Sequence, residues 1–311
     1  MRTFNLDLEN ARKICERFNL SEPKKVERME EGMINDVFSI DRRYVVKINT
    51  GHPKIPKLRK EEKIYNKLTG KIPVPKIYGY DSSKKILQYH YIIMEHINGF
   101  SLGSIFQELS KNQKQKWLMK IGELLASIHS VKFNNFGEDF TKGNFKGEKN
   151  YQEYLKKYVN SICQKIEESN EMRKQETDVL RKFFLNNPLF QIKPSASLLH
   201  GNFIPDNIIV NNNEEIKAVV DWEWCRAGHN EEEVATFLYR NLKMDKDSVK
   251  SFRKGYEKLI PLSKEFEKRL YAYNLLYYLR VLPEVHKWDH RPDKQEEYRE
   301  VTKKLIRKIM K

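Results

Sequence analysis

No run of about 18 uninterrupted apolar residues occurs in this chain of 311 residues, so no membrane span is expected. Cysteine is scarce. Cys15, Cys163 and Cys225 are widely scattered and lack metal-ligand spacing, which argues for reduced thiols rather than disulfides or a zinc site. The opening stretch MRTFNLDLENARKICERF is charged throughout and lacks the apolar centre of a signal peptide. These absences together predict a cytoplasmic location. No internal repeat, low-complexity tract or long Pro/Gly linker appears, so the chain reads as compact throughout, with length for one large domain or two modest lobes. No Gly-Lys-Ser/Thr loop of the Walker type occurs, which excludes a P-loop fold.

Charge is plentiful. The chain carries 58 Lys and Arg against 43 Asp and Glu, a formal charge of +15. A basic surface favours polyanions. Here, however, the lysines are spread along the chain and mixed with Glu, as in KLRKEEKIYNKL, the pattern of a solvated helix surface. The sequence shows neither the aromatics of an RNA-recognition sheet nor a helix-turn-helix pattern, so no specific nucleic acid is expected as a partner.

The first hundred residues read as strands around one helix. DVFSID and RYVVKIN are β-rich runs joined at Asp41-Arg42-Arg43, a hairpin. LRKEEKIYNKLTGK reads as a helix with Ile64, Tyr65 and Leu68 on one side and Gly70 near its end. IPVPKIYGYD carries two prolines, which places its extended part at a sheet edge. YHYIIMEHINGF is an apolar strand ending at the turn signal Asn98-Gly99. From about Ser101 the apolar spacing becomes helical, in KQKWLMKIGELLASIHSV, YQEYLKKYVNSICQKIEE and ETDVLRKFFLNN. Two short strands, NIIV and IKAVVD, flank the turn Asn211-Asn212-Asn213, and the rest reads as helix. The expected organisation is a β-rich lobe over residues 1–97, then a mainly helical lobe over residues 98–311.

One stretch stands apart. LLHGNFIPDNIIV places a polar octet, His200 to Asn207, between apolar segments, and VVDWEW follows with a carboxylate at the end of an apolar run. Phosphoryl transfer asks little covalent work of a protein. It asks for Mg²⁺ and a triphosphate to be held and for a hydroxyl to be oriented. Mg²⁺ takes oxygen ligands, typically one or two carboxylates or amides beside phosphate and water. Asn207 and Asp221, on neighbouring strands of one hairpin, could supply them.

HGNFIPDN followed by VVDWE resembles the catalytic and metal-binding motifs of the aminoglycoside phosphotransferase family, protein-kinase-like small-molecule kinases that include choline and homoserine kinases. EGMINDVFSI resembles the family's nucleotide loop, with Gly32 and Asn35. YVVKI resembles the strand of its phosphate-binding lysine, EEKIYNKLTGKIPVPKI its paired glutamate and Pro-Val-Pro, YIIMEHINGFSL its hinge strand and ELLASIHS the helix before the substrate region. Six motifs run in the family's order from about Glu30 to Ala235. The resemblance implies an α+β, bilobal protein-kinase-like fold and an ATP- or GTP-dependent, Mg²⁺-requiring O-phosphotransferase acting on a small hydroxyl-bearing acceptor. It implies that Lys47 contacts the α- and β-phosphates and that Glu61 pairs with it, Glu62 being the adjacent alternative. It implies further that Glu95 and Ile97 bind the adenine edge through their backbones with Met94 behind the base, that Asn207 and Asp221 hold Mg²⁺, and that His200 braces the loop. Trp222, Trp224 and His129 are expected to pack.

Two residues depart from the family pattern. Asn202 stands where the family has the aspartate that accepts or orients the proton of the attacking hydroxyl. An amide can accept a hydrogen bond but cannot take up a proton at neutral pH. Turnover is therefore expected to be impaired while nucleotide and metal binding survive. Three origins stay open: an introduced substitution, which this reading favours, a natural nucleotide-binding protein with little turnover, and an enzyme relying on positioning alone. Glu233 stands where the family has aspartate, in a structural role. Residues 226–311 carry 21 Lys and Arg against 14 Asp and Glu, which leaves a neutral or anionic acceptor at least as open as an aminoglycoside. The alternative function is a catalytically silent pseudokinase or scaffold. The antibiotic or metabolite nature of the acceptor and the oligomeric state stay open.

Overall fold

A computed structural model of the chain describes residues 4–31, 35–50, 57–141, 143–285 and 292–310. The chain divides into two compact units, one of Met1–Glu108 with Ile204–Cys225, the other of Leu109–Phe203 with Arg226–Lys311. The first holds α1 (Leu8–Arg17), β1 (Val26–Glu31), β2 (Asn35–Ile40), β3 (Tyr44–Asn49), α2 (Lys57–Leu68), β4 (Ile77–Asp81), β5 (Tyr91–Glu95), β6 (Phe100–Ser101) and α3 (Leu102–Phe106). The second begins with α4 (Lys111–His129), β7 (Lys132–Phe133), β8 (Phe136–Thr141), β9 (Asn144–Glu148), α5 (Tyr151–Glu168), α6 (Lys174–Asn186) and β10 (Ala196–Leu199). The chain returns to the first unit for β11 (Ile208–Val210) and β12 (Ile216–Val219), and then to the second for β13 (Arg226–Gly228), α7 (Asn230–Arg240), α8 (Lys246–Tyr256), α9 (Phe266–Val281) and α10 (Pro292–Ile309).

The first unit is built on a five-stranded antiparallel sheet in the order β1-β2-β3-β5-β4. Its β2–β3 hairpin turns at Asp41 and Arg42, both at positive φ (52° and 53°), the handedness that matches strand twist. Asp41 holds this turn by accepting from the backbone N–H groups of Lys24 and Lys25. Proline-preceded β4 lies at the sheet edge, as expected. The expectation of one helix in this region needs correction, because α1 precedes the sheet. Its Ala11, Ile14 and Cys15 join Phe38, Ile40, Val46, Ile48, Tyr91 and Ile93 in one core. The signal is there to read, since Ala11, Ile14 and Cys15 fall at helical spacing behind the Asp7 cap.

A second sheet of this unit, β12-β11-β6, joins the residues after the hinge turn to the hairpin that follows the octet. The Val219 N–H also donates to the Pro73 carbonyl at 2.8 Å. These pairings gather residues 98–108 and 204–225 with the first sheet, whereas the expected boundary at 97/98 put both segments in the later lobe.

The second unit is mainly helical, and α4 packs on α8 through reciprocal glycines. A Cβ on Gly122 would lie 2.2 Å from the Phe252 carbonyl, and one on Gly255 would lie 2.0 Å from that of Met119. The unit also contains a five-stranded sheet, β7-β10-β13-β8-β9, in a region that reads as helical in sequence. Its strands are two to six residues long and include FGEDFT and NFKGE, polar and glycine-containing runs with no clean alternation.

Candidate active site

Lys47 sits mid-strand in β3, opposite Ile92 of β5. Its ammonium is buried, at 7% exposure, and lies 2.9 Å from Glu61 Oε2, 3.2 Å from Glu61 Oε1 and 2.7 Å from Asp221 Oδ1. Burial pulls its pKa down, but the carboxylates of Asp221 and Glu61 outweigh burial and hold the ammonium well above its ordinary value. Glu61 on α2 is fully buried. Burial pushes its carboxyl up and the Lys47 charge opposes that rise. Its neighbour Glu62 faces elsewhere and accepts from Asn66 Nδ2 at 3.0 Å, so the lysine's partner on this helix is Glu61.

Asp221 is held on its backbone. It adopts the left-handed conformation (φ 66°), unusual for a non-glycine residue and frequent at functional positions. Its N–H donates to the Tyr65 hydroxyl at 3.2 Å, and the next N–H, of Trp222, donates to Glu61 Oε1 at 3.2 Å. The fully buried Trp222 indole donates to the Val219 carbonyl at 3.0 Å. Two residues on, buried Glu223 accepts from Asn35 Nδ2 at 2.9 Å, which ties the start of β2 to the same turn. The unit therefore brings Asn35, Lys47, Glu61 and Asp221 together and adds Tyr65 and Glu223. The second of these was in plain view two positions after Asp221.

Asn207 joins this group through the hairpin. Ile208 pairs with Val219, and the Val220 N–H donates to the Asn207 carbonyl at 3.0 Å, so Asn207 and Asp221 stand at the same end of β11–β12. Met94, buried near the end of β5, pairs with Val45, and Glu95 accepts from the Lys76 N–H through Oε2 at 3.2 Å. Ile97 lies two residues past the end of β5. Gly32 lies outside the described residues. Asp206 lies against the first turn of α3, where a Cβ on Gly103 would meet its Oδ1 at 2.5 Å.

The octet crosses between units at Phe203–Ile204, so His200 and Asn202 belong to the other unit. There Glu233, buried on α7, organises the start of the loop. Its carboxylate accepts from the His200 N–H at 2.8 Å and the Gly201 N–H at 2.6 Å, and lies 3.0 Å from His129 Nε2. Burial works to raise the Glu233 pKa, but His129 and His200 beside it hold it below the usual carboxylate range. His129 in turn lies 2.8 Å from the Tyr256 hydroxyl through Nδ1. It is the packed, satisfied histidine expected, and it also positions the loop's carboxylate. Gly201 takes a φ of 85°, which reverses the chain so that the Asn202 N–H donates to His200 Nδ1 at 3.3 Å.

A family model described as a phosphotransferase enzyme family matches residues 25–260. Among curated proteins, Acyl-CoA dehydrogenase family member 11 of Rattus norvegicus is 28% identical over 184 residues, covering 57% of this chain and 22% of that protein. The protein of the same description in Homo sapiens is 26% identical over 193 residues, covering 60% and 23%. The chain thus spans less than a quarter of the length of these relatives. Among solved structures, a thermostable mutant of aminoglycoside phosphotransferase APH(4)-Ia superposes with a TM-score of 0.69 at 18% identity, covering 95% of this chain and 97% of that one. The ADP-bound aminoglycoside phosphotransferase APH(2'')-Ib gives 0.67 at 17% identity, covering 97% of each chain. These likenesses show a shared α+β, protein-kinase-like fold.

Proposed function

The chain belongs to the phosphotransferase enzyme family, and from that premise we propose that its own reaction is transfer of the γ-phosphoryl group of ATP or GTP to a hydroxyl of a small molecule. The observation that carries this reading is the buried Lys47 ammonium between Glu61 and Asp221. A fixed cation at the end of a carboxylate pair is suited to anionic phosphate oxygens, and its charged state is secured by both partners. The ADP bound in one structural neighbour, and the GDP and kanamycin bound in another, support a nucleotide donor and a hydroxyl acceptor.

Asn207 and Asp221 fit a magnesium ion. They offer an amide and a carboxylate, hard oxygen donors at one end of one hairpin, and Asp221 keeps a third of its side chain exposed. Bound there, the ion would neutralise charge on the phosphates. Lys47 is the residue for the α- and β-phosphates, and Met94, Glu95 and Ile97 are those for the base. Asn202 orients the acceptor hydroxyl by accepting its hydrogen bond. It cannot carry the proton away, so on this reading the nucleotide residues are kept and the base is lacking.

The second reading, a nucleotide-binding protein without turnover, is favoured by Asn202 itself. One experiment separates the two: Mg²⁺-dependent ADP or GDP release with a panel of small alcohols and aminoglycosides, for the chain and for Asn202→Asp. The expected result is a gain in kcat of about 10²–10⁴-fold in the aspartate variant. Equal activity in both would remove the assigned role of Asn202, and no turnover in either, with nucleotide still bound, would establish the binding protein.

A further inference from the structure

Arg226, on β13, spends only part of its guanidinium on the protein. Its Nη2 donates to Glu232 Oε1 at 2.6 Å, whereas Nε and Nη1 have no hydrogen-bond partner among the described residues. The group lies over the Tyr158 ring, 5.5 Å from its centroid. Tyr158 stacks on Tyr154 (5.5 Å, 10° between planes), and Tyr154 stacks on Phe136 (5.5 Å, 27°). The hydroxyls of Tyr154 and Tyr158 are also buried without partners. Four of the eight such side-chain atoms among the described residues therefore gather in this one cluster. Arg226, Tyr154 and Tyr158 are 5%, 6% and 9% exposed, so each orphaned group bears a desolvation cost that a ligand would relieve.

The cluster is balanced in charge but not in hydrogen bonding. Glu232 is occupied by Arg226, and Arg280 and Glu138 act electrostatically on the same guanidinium. The unsatisfied capacity consists of guanidinium N–H donors and two hydroxyls. Donors are satisfied by acceptor oxygens, and an oxyanion provides the strongest. An ammonium group could donate to the two hydroxyl oxygens but would leave the Arg226 Nε and Nη1 donors unanswered. The cluster also adjoins the loop that the proposed reaction uses, since Arg226 pairs with Leu199, the residue immediately before His200.

We propose that Arg226, Tyr154 and Tyr158 recognise an oxyanion, a carboxylate or a phosphate, on the hydroxyl-bearing acceptor, and so select an anionic alcohol over a polycationic one. This rests on the phosphotransferase reading only for the word acceptor; the anion site itself stands on the cluster. No bond is made or broken there, and the three side chains determine specificity.

The test is calorimetric and thermal-shift titration of the full chain with a graded set of hydroxycarboxylates and polyol phosphates, glycerate and glycerophosphate among them, beside uncharged glycerol and kanamycin. The two anion types distinguish a carboxylate from a phosphate site. Tyr158→Phe removes an orphaned hydroxyl without touching the Arg226–Glu232 pair, and Arg226→Lys keeps the charge while removing the unanswered Nε and Nη1 donors. The expected result is that one anion type binds and glycerol and kanamycin do not. Tyr158→Phe should leave the Tm of the unliganded protein equal or higher while weakening anion binding at least about ten-fold, as Arg226→Lys should too. No binding by either anion type, or unchanged anion affinity in both variants, overturns the proposal. In the Asn202→Asp background, phosphorylation of glycerol or kanamycin with KM indifferent to Tyr158→Phe would overturn it and leave the phosphotransferase reading intact. Anion binding lost in both variants, with no phosphoryl transfer to any acceptor, would sustain the anion site and overturn the phosphotransferase reading.

Discussion

Lys47 illustrates how a buried charge is tolerated when its neighbours answer it. A buried ammonium alone would shed its proton, but here two carboxylates reverse the effect of burial. Removing the lysine therefore costs more than the contact it makes, because Glu61, with no exposed surface, is left uncompensated. Lys47→Met is expected to lower stability by about 3 kcal/mol in urea unfolding and to raise the nucleotide KM at least about ten-fold. A variant as stable as the parent would show that Glu61 finds another way to be neutralised. Asn202 is a different kind of residue. Its backbone N–H donates to His200 in the loop that Glu233 holds, and Asn202→Asp is expected to raise turnover, as steady-state kinetics can check.

Among the elements, α4 and α8 depend on each other most visibly. Gly122 and Gly255 let the two helix backbones approach so closely that each position faces a carbonyl of the other helix. A backbone atom cannot swing away as a side chain can, so overpacking there must shift a helix. Gly122→Ala is expected to destabilise by about 1–3 kcal/mol despite the better helix propensity of alanine, seen as a Tm lower by several degrees. A stabilised Gly122→Ala would mean that the helices can separate at no cost. The hairpin β11–β12 plays the corresponding part in the first unit. It is short, and its pairing alone sets Asn207 beside Val220 and hence the common end shared with Asp221.

For the molecule as a whole, two buried histidines contribute to its sensitivity to acid. Burial pulls His229 down to about 4, and His129 is also lowered by burial in spite of Glu233 beside it. The unfolded chain therefore binds protons near pH 6.5 that the folded chain refuses, so stability is fully present above that value and is lost as pH falls toward 4. His229 alone accounts for about 3 kcal/mol over this window, at about 1.4 kcal/mol per pH unit. Glu232, raised by burial, acts in the opposite sense. The check is a pair of pH titrations of unfolding free energy: His229→Gln should flatten the slope between about pH 6.5 and 4, and an unchanged slope would exclude His229 as its source.

Much of the site can be read from linear order, because its chemistry depends on residue type at fixed spacing. A lysine ending YVVK, a glutamate one face along a helix, an amide closing HGNFIPDN and a carboxylate in VVDWE are recognisable before any contact is known. The edge position of β4, the β2–β3 hairpin and the long helices follow in the same way from proline placement, turn residues and apolar period. Local sequence could not choose between Glu61 and Glu62, because only packing decides which face of α2 meets β3. Nor could it find the sheet of short polar strands that holds β13, whereas α1, with Ala11, Ile14 and Cys15 at helical spacing behind the Asp7 cap, is legible but was passed over in the expectation of one helix. The partners of Glu233, and the guanidinium of Arg226 left with unanswered donors, arise from pairings between residues far apart in the chain. Spacing along a chain specifies which groups are available; hydrogen-bond satisfaction and burial are properties of the assembled fold, and they alone decide which of those groups are answered.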